Sequence, residues 1–160
     1  MSGTGGGGNG NGSGPRKRIV AVEAYCIGCR LCEINCLVKR SRSRKILKAF
    51  RRERDAVVPG IRVEESGHVS FALQCRHCDD APCIAACITG AMHRDPATGA
   101  VVCDESRCAG CWSCVMVCAV GAVRPGKKRK VASKCDLCMG EEMPVCVAGC
   151  PNEALRYEER

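Results

Sequence analysis

Cys108-Ala109-Gly110-Cys111-Trp112-Ser113-Cys114-Val115-Met116-Val117-Cys118 sets four cysteines at the spacing C-x2-C-x2-C-x3-C. Cys26, Cys29, Cys32 and Cys36 repeat that spacing unchanged. Cys75, Cys78, Cys83 and Cys87 form a variant with four residues between the second and third cysteines. Cys135, Cys138, Cys146 and Cys150 form another, with seven residues there. Every quartet ends in C-x3-C, and together they use sixteen of the 17 cysteines, leaving Cys103 over.

Thiolates at this spacing suit a cubane [4Fe-4S] cluster. Three in a tight loop hold three irons of one cube, and the fourth, a helical turn later, points away to a second cube. The sixteen quartet cysteines are therefore the candidate iron ligands, enough for four [4Fe-4S] clusters. The rival metal is zinc, because a C-x2-C pair such as Cys135/Cys138 also suits a zinc ribbon, and the chain would then be a zinc-stabilised interaction module. Zinc sites draw ligands as two pairs, whereas two runs here carry three in tandem plus a fourth one turn on. No nucleophile–base arrangement and no open metal position stands out, so electron transfer rather than substrate chemistry is expected.

With 160 residues and 3% aromatic content, the chain is short of large core side chains. Small domains of this kind are held by metal or disulfides. A secreted disulfide framework is disfavoured by the regular spacing and by the absence of a secretory signal. Residues 1–17 read as a flexible Gly-rich tail. No apolar run reaches membrane-spanning length, and a reducing cytoplasm is the expected location. The formal charge of +8 would suit nucleic acid in another protein. Each bound cubane with its four thiolates adds about −2, so four of them offset that excess and no nucleic-acid partner is expected.

Along the chain, alternation predicts a strand over 18–25 and a short helix over 33–40. The basic stretch 40–54 carries Ile46, Leu47 and Phe50 at helical spacing, which predicts an amphipathic helix. It reads either as a solvated helix with its apolar stripe on the core or as a docking face for an acidic redox partner. A hairpin is expected over 61–73 around Ser66-Gly67, strands over 88–94 and 100–103, and a basic loop at 124–130. Strands over 131–134 and 153–158 complete the expectation. Cys87, Cys118 and Cys150 are each followed, at the fourth position, by Ala91, Ala122 or Ala154 and then an apolar residue. This internal repeat of loop, short helix and strand predicts an α+β chain, a duplicated bacterial ferredoxin-like fold with short strands, short helices and cluster-binding loops. Trp112 is expected to shield a cluster, Cys103 to be a buried structural thiol, and His77 either to bond a sulfur or simply to lie at the surface.

The strings Leu73-Gln74-Cys75-Arg76-His77-Cys78, Ala81-Pro82-Cys83, Gly110-Cys111-Trp112, Cys114-Val115-Met116-Val117-Cys118 and Lys134-Cys135-Asp136-Leu137-Cys138 resemble four-cluster iron–sulfur subunits. The likeness is greatest to the iron–sulfur subunit of carbon monoxide dehydrogenase systems. Aldehyde oxidoreductases, hydrogenases, formate dehydrogenases and dimethyl sulfoxide reductases have similar subunits. The resemblance implies a wire between a catalytic oxidoreductase subunit and a second redox protein, a flavoprotein or a hydrogenase, with no substrate site of its own. It also implies nested ligand sets: Cys26, Cys29, Cys32 with Cys150; Cys135, Cys138, Cys146 with Cys36; Cys75, Cys78, Cys83 with Cys118; Cys108, Cys111, Cys114 with Cys87. Spacing alone leaves a sequential pairing of quartets equally open. On this view residues 18–160 form one four-cluster domain of two interleaved two-cluster lobes, with a basic insertion over 37–70.

Overall fold

Strand β1, Lys17–Ala21, buries Ile19 and pairs antiparallel with β8, Leu155–Glu159, so that Ile19 faces Tyr157 and Ala21 faces Leu155. A computed structural model describes residues 16–159, and most of the Gly-rich tail expected over 1–17 lies outside them. The first strand is shorter than the alternation predicts. Its last rung is Val22 N–H to Ala154 O, and Glu23–Tyr25 then form a 3-10 turn that delivers Cys26.

Helix α1, Leu31–Arg40, turns Cys32, Cys36 and Leu37 inward, a stripe at i, i+4 and i+5. Ser41 ends it. Its amide donates to Leu37 O, and its hydroxyl bonds Val38 O at 2.7 Å and accepts from Arg44 N at 3.1 Å. Side-chain bonds of this kind compete with the helical ladder. The helix expected over 40–54 is therefore broken, and only α2, Ile46–Lys48, and a following π-helical turn, Ala49–Glu53, remain. The Glu53 carboxylate closes the loop by accepting the amides of Arg42 and Ser43. The apolar stripe does not pack on the core: Ile46, Leu47 and Phe50 are exposed, and the residue that packs is Ala49, at 0% exposure.

The hairpin expected around Ser66-Gly67 is present as β2, Ile61–Ser66, and β3, Val69–Gln74, with Ile61 opposite Gln74. Helix α3, Pro82–Ala85, leads to β4, Met92–Arg94, which pairs with β5, Val101–Cys103. Strand β4 starts later than residue 88 because Cys87–Gly90 is a turn, closed by Gly90 N–H on Cys87 O. Helix α4, Ser113–Met116, precedes β6, Arg124–Pro125, and β7, Ala132–Ser133, which is half the length expected over 131–134. Helix α5, Val145–Ala148, leads into β8.

Among the described residues the strands form four two-stranded antiparallel ribbons. Helix α1 packs on α5 and α3 on α4, so the first quartet's segment lies beside the fourth's and the second's beside the third's. Two cores follow. One gathers Ile19, Ile61, Val63, Ala72 and Leu155 with Cys32, Cys36, Cys75, Cys135 and Cys146; the other gathers Met92, Val101, Val123 and Ala132 with Cys83 and Cys114. The result is a mixed α and β chain of short helices and short strands, consistent with a ferredoxin-like fold. Among the described residues no helix is long and apolar enough to cross a membrane.

Candidate metal-cluster sites

The four cysteine loops share one backbone feature. The residue just before the second cysteine of each has positive φ: Gly28 at 68°, His77 at 48°, Gly110 at 69° and Leu137 at 57°. Arg30, Trp112 and Cys138 continue the reversal with φ of 58°, 65° and 53°. Alternation of right- and left-handed residues curls successive amides toward one centre, the arrangement that binds anions. Side-chain-bearing residues adopt it at a cost of order 1 kcal/mol each, which the surroundings must offset. Two of the four pivots are not glycine, so sequence reading missed the feature. At Gly110 the requirement is double, because a Cβ there would collide with the Lys130 carbonyl.

The structure brings the cysteines together as follows. Cys26, Cys29 and Cys32 line one cavity with Cys150. Cys108, Cys111 and Cys114 line another with Cys87, joined by Cys103 and Trp112. Cys146 lies within electrostatic reach of Cys135, Cys36 and Cys138, and Cys83 within reach of Cys75 and Cys118. Cys78 is less enclosed; it is exposed and borders a surface cleft with Arg18 and Arg76. Cys29 and Cys111, the second cysteines of their loops, are exposed as well. Among the described residues no three Cys, His, Asp or Glu side chains converge on one point as a single ion requires. In two of the four sets the thiols ring a cavity instead, as ligands to separate corners of a cube would.

Backbone amides are aimed at the sulfurs. Gly60 N–H donates to Cys36 Sγ at 3.1 Å, Met92 to Cys87 at 3.3 Å and Ala122 to Cys118 at 3.3 Å. His77, Ala132 and Leu137 donate to Cys75, Cys108 and Cys135, each at 3.4 Å. Such donors favour anionic sulfur, as iron ligation produces. Burial opposes it: the thiols of Cys32 and Cys83 are pushed up to about 11, and that of Cys146 rises further, each chiefly by burial. Cys111 goes the other way, held below the usual thiol value by the Ser113 hydroxyl and amide. Metal must therefore displace protons from buried thiols, which couples loading to folding. The donor set, the cavities and the inward amides together fit an iron–sulfur cubane.

His77 is not a surface residue. It is 5% exposed, Val101 N–H donates to its Nδ1 at 3.0 Å, and burial with help from Lys134 and Arg94 lowers its imidazole to about 3. The neutral ring carries its proton on Nε2, which is buried without a partner among the described residues. Cys103 is half-buried against Cys108, and burial pushes its thiol up to about 12. Ala91, Ala122 and Ala154, the alanines of the sequence repeat, are all buried. The residue before each takes positive φ: Gly90, Gly121 and Glu153.

These sites define an iron–sulfur electron-transfer protein whose cofactors are [4Fe-4S] clusters. The model of the 4Fe-4S dicluster domain family matches residues 67–160, and the chain belongs to that family. The electron transport protein HydN of Escherichia coli K12 is 37% identical over 158 residues, covering 89% of this chain and 87% of that protein. An iron-sulfur protein of Rhodospirillum rubrum is 36% identical, covering 86% and 80%. The thiosulfate reductase electron transfer subunit PhsB of Salmonella typhi is 35% identical, covering 84% and 71%. Among solved structures, a chain of the active site complex BamBC of benzoyl coenzyme A reductase aligns with a TM-score of 0.51 at 21% identity, covering 91% of this chain and 78% of that one. That likeness concerns the fold alone.

Proposed function

We propose that the chain is a wire of four [4Fe-4S] clusters linking a catalytic oxidoreductase subunit to a second redox protein. The observation that carries this reading is the neighbourhood of the quartets: three cysteines of one loop share a cavity with the last cysteine of a remote one, Cys150 in one case and Cys87 in another. The ligand sets are Cys26, Cys29, Cys32 and Cys150; Cys135, Cys138, Cys146 and Cys36; Cys75, Cys78, Cys83 and Cys118; Cys108, Cys111, Cys114 and Cys87. Packing of α1 on α5 and of α3 on α4 supports this nested order over a sequential one. On this assignment residues 18–160 form one domain of two interleaved two-cluster lobes, derived by duplication. The chain has no substrate site of its own.

We assign carbon monoxide dehydrogenase as the catalytic partner and the cytoplasm as the location. The support is the resemblance of the loop strings, Gly110-Cys111-Trp112 and Lys134-Cys135-Asp136-Leu137-Cys138 among them. Among the relatives' names, one is that of the electron transfer subunit of thiosulfate reductase, which supports the role of a subunit serving a catalytic partner. The exposed edge Ile46, Leu47 and Phe50, ringed by the exposed cations Arg44, Lys45, Lys48, Arg51 and Arg52, suits an acidic partner surface.

The deciding experiment is elemental analysis of the complex purified anaerobically through a tag on this chain. Nickel is expected from the partner, and this chain purified on its own should hold about sixteen iron atoms from four cubanes. Tungsten or molybdenum in place of nickel would move the partner to an aldehyde or formate oxidoreductase. About eight irons per chain would overturn the four-cluster assignment.

A further inference from the structure

Lys134 is the only lysine or arginine among the described residues that is buried, at 4% exposure. Its Nζ donates to the carbonyl oxygens of Val101 and Cys135. Among the described residues it forms no ion pair with a carboxylate. An ammonium has three protons, so the third lacks an acceptor among the described residues. Arg40 makes the contrast: it is partly exposed and pairs with Asp136 at 3.7 Å. Burying a cation without a counter-ion costs several kcal/mol, and a neutral side chain of the same length would avoid that cost. The retained charge calls for an anion.

The anion is identified by what surrounds Lys134. The next residue is Cys135, whose thiol lies within electrostatic reach of both Cys36 and Cys75. Its other acceptor, the Val101 carbonyl, lies in the second core, which Val101 shares with Cys83, whereas Cys135 packs in the first core with Cys36, Cys75 and Cys146. Lys134 thus stands where the quartet of Cys36, Cys135, Cys138 and Cys146 meets that of Cys75, Cys78, Cys83 and Cys118. A cubane with four thiolates carries about −2 when oxidised and −3 when reduced.

We infer that Lys134 is a fixed counter-charge shared by these two clusters, holding their reduction potentials up. The inference rests on the ligand sets assigned above. A positive charge near a cluster stabilises the reduced state, with its extra negative charge, more than the oxidised one. The two carbonyl bonds keep the ammonium in place, and His77, bonded to the amide of the same Val101, closes the other half of that β5 edge.

The test uses the full iron-loaded chain and an EPR-monitored redox titration. Lys134→Gln keeps a donor for the carbonyls but removes the charge; Lys134→Arg keeps the charge. In K134Q two of the four midpoints should fall, each by at least a tenfold change in the reduced-to-oxidised ratio at fixed potential, or 59 mV for a one-electron couple. K134R should keep the parent midpoints. Parent midpoints in K134Q would overturn the inference and leave Lys134 a structural strut, a role that would lower thermal stability without moving a potential. Should K134Q lose iron, retention of iron by K134R shows that the charge is what matters, and loss from both overturns the inference. The double variant Cys78→Ala/Cys118→Ala tests the ligand sets separately, since it should lose about four irons if the two share a cluster and about eight if they do not, so failure of that reading is distinguishable.

Discussion

The amide of Gly60 lies 3.1 Å from Cys36 Sγ, while a Cβ on Gly60 would stand 2.8 Å from the Cys135 Cα. One glycine therefore serves two cysteines from remote parts of the chain, donating to one and leaving room for the backbone of the other. The turn before β2 thus holds the first and fourth quartets' segments at contact distance.

Gly60→Ala should push the Cys135 backbone away and lengthen the Gly60–Cys36 bond. Overpacking of this kind costs about 1–3 kcal/mol. The expected outcome is a lower melting temperature of the loaded chain and a shifted potential for one cluster, read by calorimetry and redox titration. Unchanged values would show that the Cys135 loop can retreat freely.

Cys111→Ala should lose about four irons of about sixteen, since one cubane goes with its ligand. Cys103→Ala should keep all of them, although Cys103 borders the same cavity. Iron and sulfide analysis of the two purified variants decides the matter. Iron loss from C103A would mean that the ligand set around Cys108 is wrongly drawn.

Arg40→Met removes donors to Val58 O at 3.1 Å, Ser133 Oγ at 2.9 Å and Lys134 O. Hydrogen bonds to charged groups contribute about 1.5–3 kcal/mol, less where solvent reaches the group. A destabilisation of about 2 kcal/mol is expected, with iron content retained. Denaturant unfolding of the loaded variant under anaerobic conditions measures it.

Iron removal by chelator should unfold most of the chain. Both cores are built around cysteines, and their aliphatic members alone form a small apolar volume. Loss of strand and helix signal in circular dichroism, in parallel with loss of visible absorbance, is the expected result. Retained structure after complete iron loss would contradict it.

Replacing Lys45, Lys48, Arg51 and Arg52 with Gln should slow electron transfer to an acidic partner about tenfold at low salt and flatten its salt dependence, because steering by charge acts on the association rate. Stopped-flow rates at several ionic strengths test this. Unchanged rates would place docking elsewhere on the surface.

The cofactor was legible in the sequence because ligation is local. Three thiolates two residues apart, as in Cys26, Cys29 and Cys32, need only a tight loop to meet one cube. The hairpin around Ser66-Gly67 and helix α1 were legible for a like reason, since turn chemistry and apolar spacing act over a few residues. The helix expected over 40–54 is shortened to helical turns over 46–53, because side-chain bonds from Ser41 and Glu53 close the residues before them into a loop. His77 proved buried because its neighbour is Val101, 24 residues away, and no local signal marks such a contact.

By itself, the sequence determined the metal chemistry, the number of cysteine loops and the short alternating elements, since each depends on residues close along the chain. Only the tertiary structure decided which loop stands beside which, because Cys150 reaches the Cys26 loop through pairing of β1 with β8 and packing of α1 on α5. It likewise decided that Ile46 and Leu47 face outward and that Lys134 is enclosed with no carboxylate partner among the described residues. Burial is a property of distant segments closing on one another, and no spacing along the chain records it.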